Sequence, residues 1–250
     1  MRIKLLDQLA RRGSTFTISD AKKLSSLEPG SLRVFLHRME KGGYIERIER
    51  EKYLIIPIGA EKEEYSIHEF ILGSLLVSPY CISYWSALHH YGMTEQIPST
   101  IFIQTTGRKN KHKGNVLGME YRIIKISDWK FFGQKDILID SEKVRITDEE
   151  RTILDCLDRP ELCGGIVEAF KGLSNDSLDS RKIMEYSVRM RNSGITRRLG
   201  FLWDIMGVDH DIEPLRTRNY LYLDPTMKKK GPKDPKWRLI INLNTDEMRD

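Results

Sequence analysis

The chain has 250 residues, 40% hydrophobic and 31% charged, with 41 Lys and Arg against 36 Asp and Glu. That length accommodates two domains, and no run approaches the roughly 18 apolar residues a membrane-spanning helix needs. The opening MRIKLLDQLARRG is charged throughout and lacks an apolar signal core, so a cytoplasmic protein is expected. Cys81, Cys156 and Cys163 are odd in number and have neither metal-ligand spacing nor the look of a disulfide framework. Cys156 lies in an apolar helical run and reads as a small buried hydrophobe.

The net charge of +5 is confined to one end. Residues 1–56 hold 12 basic side chains against 7 acidic ones, and the remainder balances at 29 of each. A basic excess gathered in a small module is the footprint of a phosphate-binding surface.

In that module Leu5, Leu6 and Leu9 fall at helical spacing and Gly13 stops the helix. Thr17-Ile18-Ser19-Asp20 offers an N-cap for a second helix. Leu27-Glu28-Pro29-Gly30 reads as a turn, and a third helix is expected from about Ser31 to Lys41. Leu32, Phe35, Leu36 and Met39 form its inner stripe, and Gly42-Gly43 ends it. Tyr44 to Ile55 alternates like two short strands around a charged turn. This order is that of a winged helix-turn-helix. The third helix is then the recognition helix, with Ser31, Arg33, Val34, His37, Arg38 and Lys41 on its outer side. Arg33 and Arg38 have the fork that reads guanine edges or clamps phosphate. Arg50 and Lys52 are expected at the wing tip, over the backbone or minor groove.

A charged stretch, PIGAEKEEYS at residues 57–66, marks the expected boundary between a DNA-binding domain over 1–57 and a second domain over 58–250. A sub-boundary falls near 173–178. The second domain reads as a helix from His68 to Leu76, a short strand or turn leading into a helix that ends at Gly92, and a strand from Ile101 to Thr106. A basic turn, GRKNKHKG at 107–114, precedes a strand pair, Met119 to Ile126 and Lys143 to Ile146. Thr147 and Glu150 match a capping box at the start of a helix carrying Ile153, Leu154 and Leu157. Further helices are expected over Ile166 to Leu173, Asp179 to Arg191 and Ile195 to Gly207, then a closing strand from Trp237 to Leu243. The fold class is α+β, a winged helix-turn-helix followed by a mixed α/β domain.

Four segments carry a family resemblance: YWSALHHYGMTEQIP at 84–98, IFIQTTGR at 101–108, VRITDEERTILDCLDRPELCGG at 144–165 and KWRLIIN at 236–242. With the N-terminal module, their order and spacing make the chain resemble the AbiEi antitoxin family of transcriptional regulators, found in type IV toxin-antitoxin operons. The basic tail Lys228-Lys229-Lys230 to Lys233 lies outside the pattern. The resemblance implies a repressor that binds inverted repeats in double-stranded DNA upstream of its own operon. It also implies a C-terminal domain that counters a nucleotidyltransferase-like toxin without a stable complex. Neither a cofactor nor a metal is implied.

Other chemistry is poorly supported. His89 and His90 point about 100° apart on a helix and do not share a metal readily; one core-facing and one surface histidine is expected. Asp148, Glu149, Glu150 and Asp155 suit a helix N-terminus and ion pairs, with Arg151 paired to a nearby carboxylate. Glu120 is followed two residues on by Arg122, where a metal-dependent nuclease would carry Lys. A second basic patch is expected from Arg108, Lys109, Lys111 and Lys113, or from Arg189, Arg191, Arg197 and Arg198. The alternatives to an antitoxin are a stand-alone regulator, a nucleic-acid-processing enzyme with a winged-helix targeting domain, and a protein-interaction module.

Overall fold

The computed structural model describes residues 2–57, 67–108, 112–245 and 248. The first unit runs α1 (Arg2–Ala10), β1 (Thr15–Thr17), α2 (Ile18–Leu24), α3 (Pro29–Lys41), β2 (Ile45–Glu49) and β3 (Lys52–Ile55). Its strands form an antiparallel sheet in the order β1-β3-β2. Leu5, Leu6, Leu9, Phe16, Ile18, Ala21, Leu32, Phe35 and Leu36 close one core, with the Phe16 and Tyr53 rings stacked at 5.3 Å across β1 and β3. Thr17 caps α2 in a reciprocal capping box with Asp20. The third helix begins two residues earlier than its apolar stripe suggests, because Pro29 occupies its first turn. The missing N–H of proline costs nothing there and its fixed φ suits a helix start.

The second unit is built on a six-stranded sheet. Its elements in chain order are α4 (Glu69–Leu76), β4 (Cys81–Ile82), α5 (Tyr84–His90), β5 (Thr100–Thr105), β6 (Lys113–Val116), β7 (Met119–Lys125), β8 (Gln134–Ile139) and β9 (Glu142–Thr147), then α6 (Glu149–Asp158), α7 (Ile166–Leu173), α8 (Ser180–Arg189) and α9 (Ser193–Met206), and finally the short strands β10 (Leu221–Tyr222), β11 (Lys233–Asp234) and β12 (Leu239–Ile240). The sheet order is β6-β7-β5-β4-β9-β8, with β5/β7 and β4/β9 parallel and the other neighbours antiparallel. One face packs Ile101, Ile103, Tyr121, Ile123, Val144 and Ile146 against Phe70, Ile71, Leu72 and Leu76 of α4. The other face packs under α5 to α9 around Ile153, Leu154, Leu157 and Ile195. Residues on both sides of 173–178 belong to that second core.

Several expectations change. The strands at Met119 and Lys143 are not neighbours, since β5 and β4 lie between them. Sequence reading missed β6 and β8, whose mixed polar and apolar residues give no clean alternation. The closing strand shrinks to Leu239–Ile240. Trp237 instead seats its ring on α9 at Gly200, where an added Cβ would lie 2.2 Å from the ring. The cap of α6 is Asp148, not Thr147: the Asp148 carboxylate accepts the Arg151 N–H at 2.9 Å. Thr147 is the last residue of β9, and its hydroxyl pairs with that of Thr152 at 2.8 Å.

Helix α6 is buried along its length from Glu150 to Leu157, so its charges are paired within the protein. Arg151 Nη2 lies 2.8 Å from Asp155 Oδ1, both side chains being 1% exposed. Arg151 Nη1 donates to the carbonyls of Lys130 and Phe132, and Gln104 donates to Asp155 at 2.7 Å. Burial pushes Asp155 up from its ordinary carboxylate value against the pull of Arg151. Lys182 bridges Glu150 at 2.7 Å and Asp148 at 3.2 Å.

Burial raises the Glu150 pKa, but the Lys182 hydrogen bond and the Asp179 N–H outweigh it and hold the carboxyl below its usual value. A depressed carboxyl contributes stability that is fully present above its unfolded pKa, about 4.3, and is lost as pH falls through the lower folded value. Thermal melts across pH are therefore expected to show a steeper acid-side decline for wild type than for Glu150→Gln. Parallel curves below about pH 4.3 would remove this linkage.

Two hydrogen bonds are among the contacts between the first unit and the second. The Glu142 carboxylate, at the turn between β8 and β9, accepts the Ser14 N–H at 2.7 Å. Lys52 Nζ donates to the Leu76 carbonyl, at the end of α4, at 2.6 Å.

Candidate nucleic-acid interface

The amphipathic spacing of α3 separates its two sides. Leu32, Phe35 and Leu36 are buried, while Ser31, Arg33, Val34, His37, Arg38 and Lys41 are exposed. At about 100° per residue, Lys41 and Val34 lie near the middle of the exposed side, and Arg33 and Arg38 stand on opposite flanks about 140° apart. Two grooves run along those flanks. One, of about 300 Å³, separates α3 from the β2–β3 hairpin and is lined by Arg33, His37, Glu40, Arg47, Arg50 and Glu51. The other, of about 870 Å³, lies between α1, the α2–α3 turn and α3, and is lined by Lys4, Gln8, Leu27, Ser31, Val34 and Arg38. Tyr53 closes the first groove from below; burial pushes its phenol up, so it remains a neutral hydroxyl.

The hairpin holds only part of the expected tip. Arg50 is exposed. Lys52 turns inward instead, its ammonium bonded to Glu49 at 2.9 Å and to Leu76, because the C-terminal carbonyls of α4 lack partners within their own helix. Sequence reading did not single out Arg47. Arg47 pairs with Tyr53 in the same register as Ile45 with Ile55, yet Ile45 is buried and Arg47 is exposed beside α3.

The second basic patch is divided. Arg108 and Lys113 are exposed, and with Arg50 and Lys52 they line a groove of about 820 Å³ between the hairpin and the β6 edge of the large sheet. Lys109 and Lys111 lie outside the described residues. Arg197 and Arg198 leave the patch altogether, being 3% and 7% exposed. Arg198 donates to the carbonyls of Leu157, Leu223 and Tyr222, and Arg197 to Asn219. These two guanidiniums satisfy backbone carbonyls from inside the fold.

Among the described residues no group of three or more His, Cys, Asp or Glu is placed to hold a metal ion. His90 is exposed and meets Tyr91 edge-on, while His89 is half-buried. No described helix is long and apolar enough to cross a membrane.

A helix that buries its apolar stripe and shows a basic face beside a β-hairpin defines a module of the nucleic-acid-binding helix-turn-helix class. Residues 4–56, the whole of this module, match the family model described as transcriptional regulator, AbiEi antitoxin. No curated protein matches the chain. Among solved structures it is similar to the RV2827C protein from Mycobacterium tuberculosis, with a TM-score of 0.64, 14% identity, and coverage of 98% of this chain and 92% of that one. At that identity the likeness is one of fold.

Proposed function

We propose that the protein is a winged helix-turn-helix repressor that binds double-stranded DNA upstream of its own operon. In this reading its second domain, over 58–250, serves as the antitoxin to a nucleotidyltransferase-like toxin. The observation that carries the reading is the exposed basic side of α3, flanked by the hairpin, within the segment that matches the antitoxin regulator family. Phosphate contacts from Lys and Arg supply most of the affinity, and α3 in the major groove supplies the choice of sequence. Val34, near the middle of the reading face, suits a thymine methyl, and Ser31 at the helix start suits a phosphate. Inverted half-sites and a toxin encoded alongside belong to this reading.

The testing experiment is a mobility shift on the DNA upstream of this gene, over a salt series, with unrelated duplex as competitor. Specific binding that weakens steeply with salt is expected. Charge reversal at Arg108 and Lys113 should make the log–log salt dependence shallower by about 0.9 for each phosphate no longer neutralised, with sequence preference kept. An unchanged slope would separate the β6 groove from the DNA track. Binding that is absent, or equal on both DNAs, would overturn the repressor reading.

A further inference from the structure

The turn of the hairpin carries a carboxylate where the backbone favours glycine. Glu51 has φ +62, a left-handed conformation that residues with a Cβ rarely adopt. Its carbonyl accepts the Ile18 N–H at 2.9 Å, which ties the turn to the start of α2. Its side chain reaches the groove beside α3, where Oε1 lies 4.0 Å from Arg33 Nη2. Three arginines, one histidine and two glutamates line that groove. A carboxylate on a phosphate-seeking surface opposes every duplex, and glycine would make the same turn without that cost.

We infer that Glu51 tunes DNA choice: its carboxylate stands beside the Arg33 guanidinium and opposes phosphate there, so that it weakens binding to unrelated DNA more than to the operator. The inference rests on the proposed DNA-binding function. Binding to unrelated DNA draws nearly all its affinity from phosphate neutralisation, so a carboxylate in the track counts there in full. On the operator, Arg33 uses its planar fork on a base edge, so a smaller share of the affinity comes from the phosphate that the carboxylate opposes. The ion pair is exposed on both sides, at 68% and 47%. Such a pair is weak, and opens readily when a phosphate or base edge replaces the carboxylate.

The test uses the full chain with Glu51→Gln, which removes the charge and keeps the side chain's length. Equilibrium binding is measured over a salt series to the upstream DNA and to an unrelated duplex of equal length. Unrelated DNA should bind roughly three- to tenfold tighter, and the upstream DNA should gain less, so the preference falls severalfold. In an Arg33→Ala background the same substitution should leave the preference unchanged, because the coupling partner is gone. Glu51→Gly should lower the preference equally while raising the melting temperature, which separates charge from turn strain. An equal gain on both DNAs, or no change on either, overturns the inference if wild type still prefers the upstream DNA. Wild-type protein with no such preference would instead count against the repressor reading, before any variant is compared.

Discussion

Asp155→Ala is expected to destabilise the protein by about 3–5 kcal/mol, the cost of leaving a buried guanidinium without its counter-charge. Arg151 is 1% exposed and cannot turn to water. Its Nη1 keeps the Lys130 and Phe132 carbonyls and its plane stays on the Phe132 ring at 4.5 Å, but Nε and Nη2 lose their acceptor. Gln104 loses its acceptor as well. For a chain of this size the loss corresponds to a melting temperature lower by roughly 10 °C. The double replacement Arg151→Met with Asp155→Leu should recover much of it, since an apolar pair of similar volume removes both desolvation costs. Denaturant melts of the two single variants and the double variant decide the matter. A loss below about 1 kcal/mol for Asp155→Ala would mean that water reaches Arg151 in solution.

The second large effect is on binding. Arg38→Ala is expected to cost about 1–3 kcal/mol of operator affinity, a factor of roughly 5 to 150, with much less change on unrelated DNA. Arg33→Ala should cost a similar amount. The two arginines stand on opposite flanks of α3, in different grooves, and share no lining residue. Their losses should therefore add within about 0.5 kcal/mol in the double variant. Lys41→Ala should weaken binding to both DNAs evenly, as a phosphate contact does. Wild-type operator affinity in Arg38→Ala would place the reading surface elsewhere on the module.

The first unit was legible because its signals are local. Apolar residues at helical spacing, a threonine cap at Thr17 and paired glycines at 42–43 all act within a few residues of the chain. The exposed side of α3 followed from subtracting its buried stripe. What stayed hidden depends on partners distant in sequence. Lys52 looks like a wing-tip cation until α4 brings the Leu76 carbonyl to it. Consecutive arginines at 197 and 198 look like a surface patch until the segment 219–223 around β10 and the end of α6 deliver carbonyls to them. The α6 cap slipped by one residue because Thr147 and Asp148 both suit the position, and the end of β9 decides between them. Strands β6 and β8 are the two edges of the large sheet, and their sequences KGNV and QKDILI show neither a continuous apolar run nor strict alternation.

The Ser14–Glu142 and Lys52–Leu76 contacts grip β3 near its two ends, since Ser14 bonds to Ile55 and Lys52 opens the strand. Contacts at both ends of one strand oppose rotation of the first unit more than either would alone, and favour one bearing of α3 relative to the large sheet. In the proposed reading, the reach between two copies of that helix on inverted half-sites is set by the folded mass. Each base pair inserted between two half-sites turns one of them by roughly 35° about the duplex axis. In the proposed repressor reading such a mounting leaves little slack to follow that rotation, and affinity is expected to fall when the spacing between half-sites is changed.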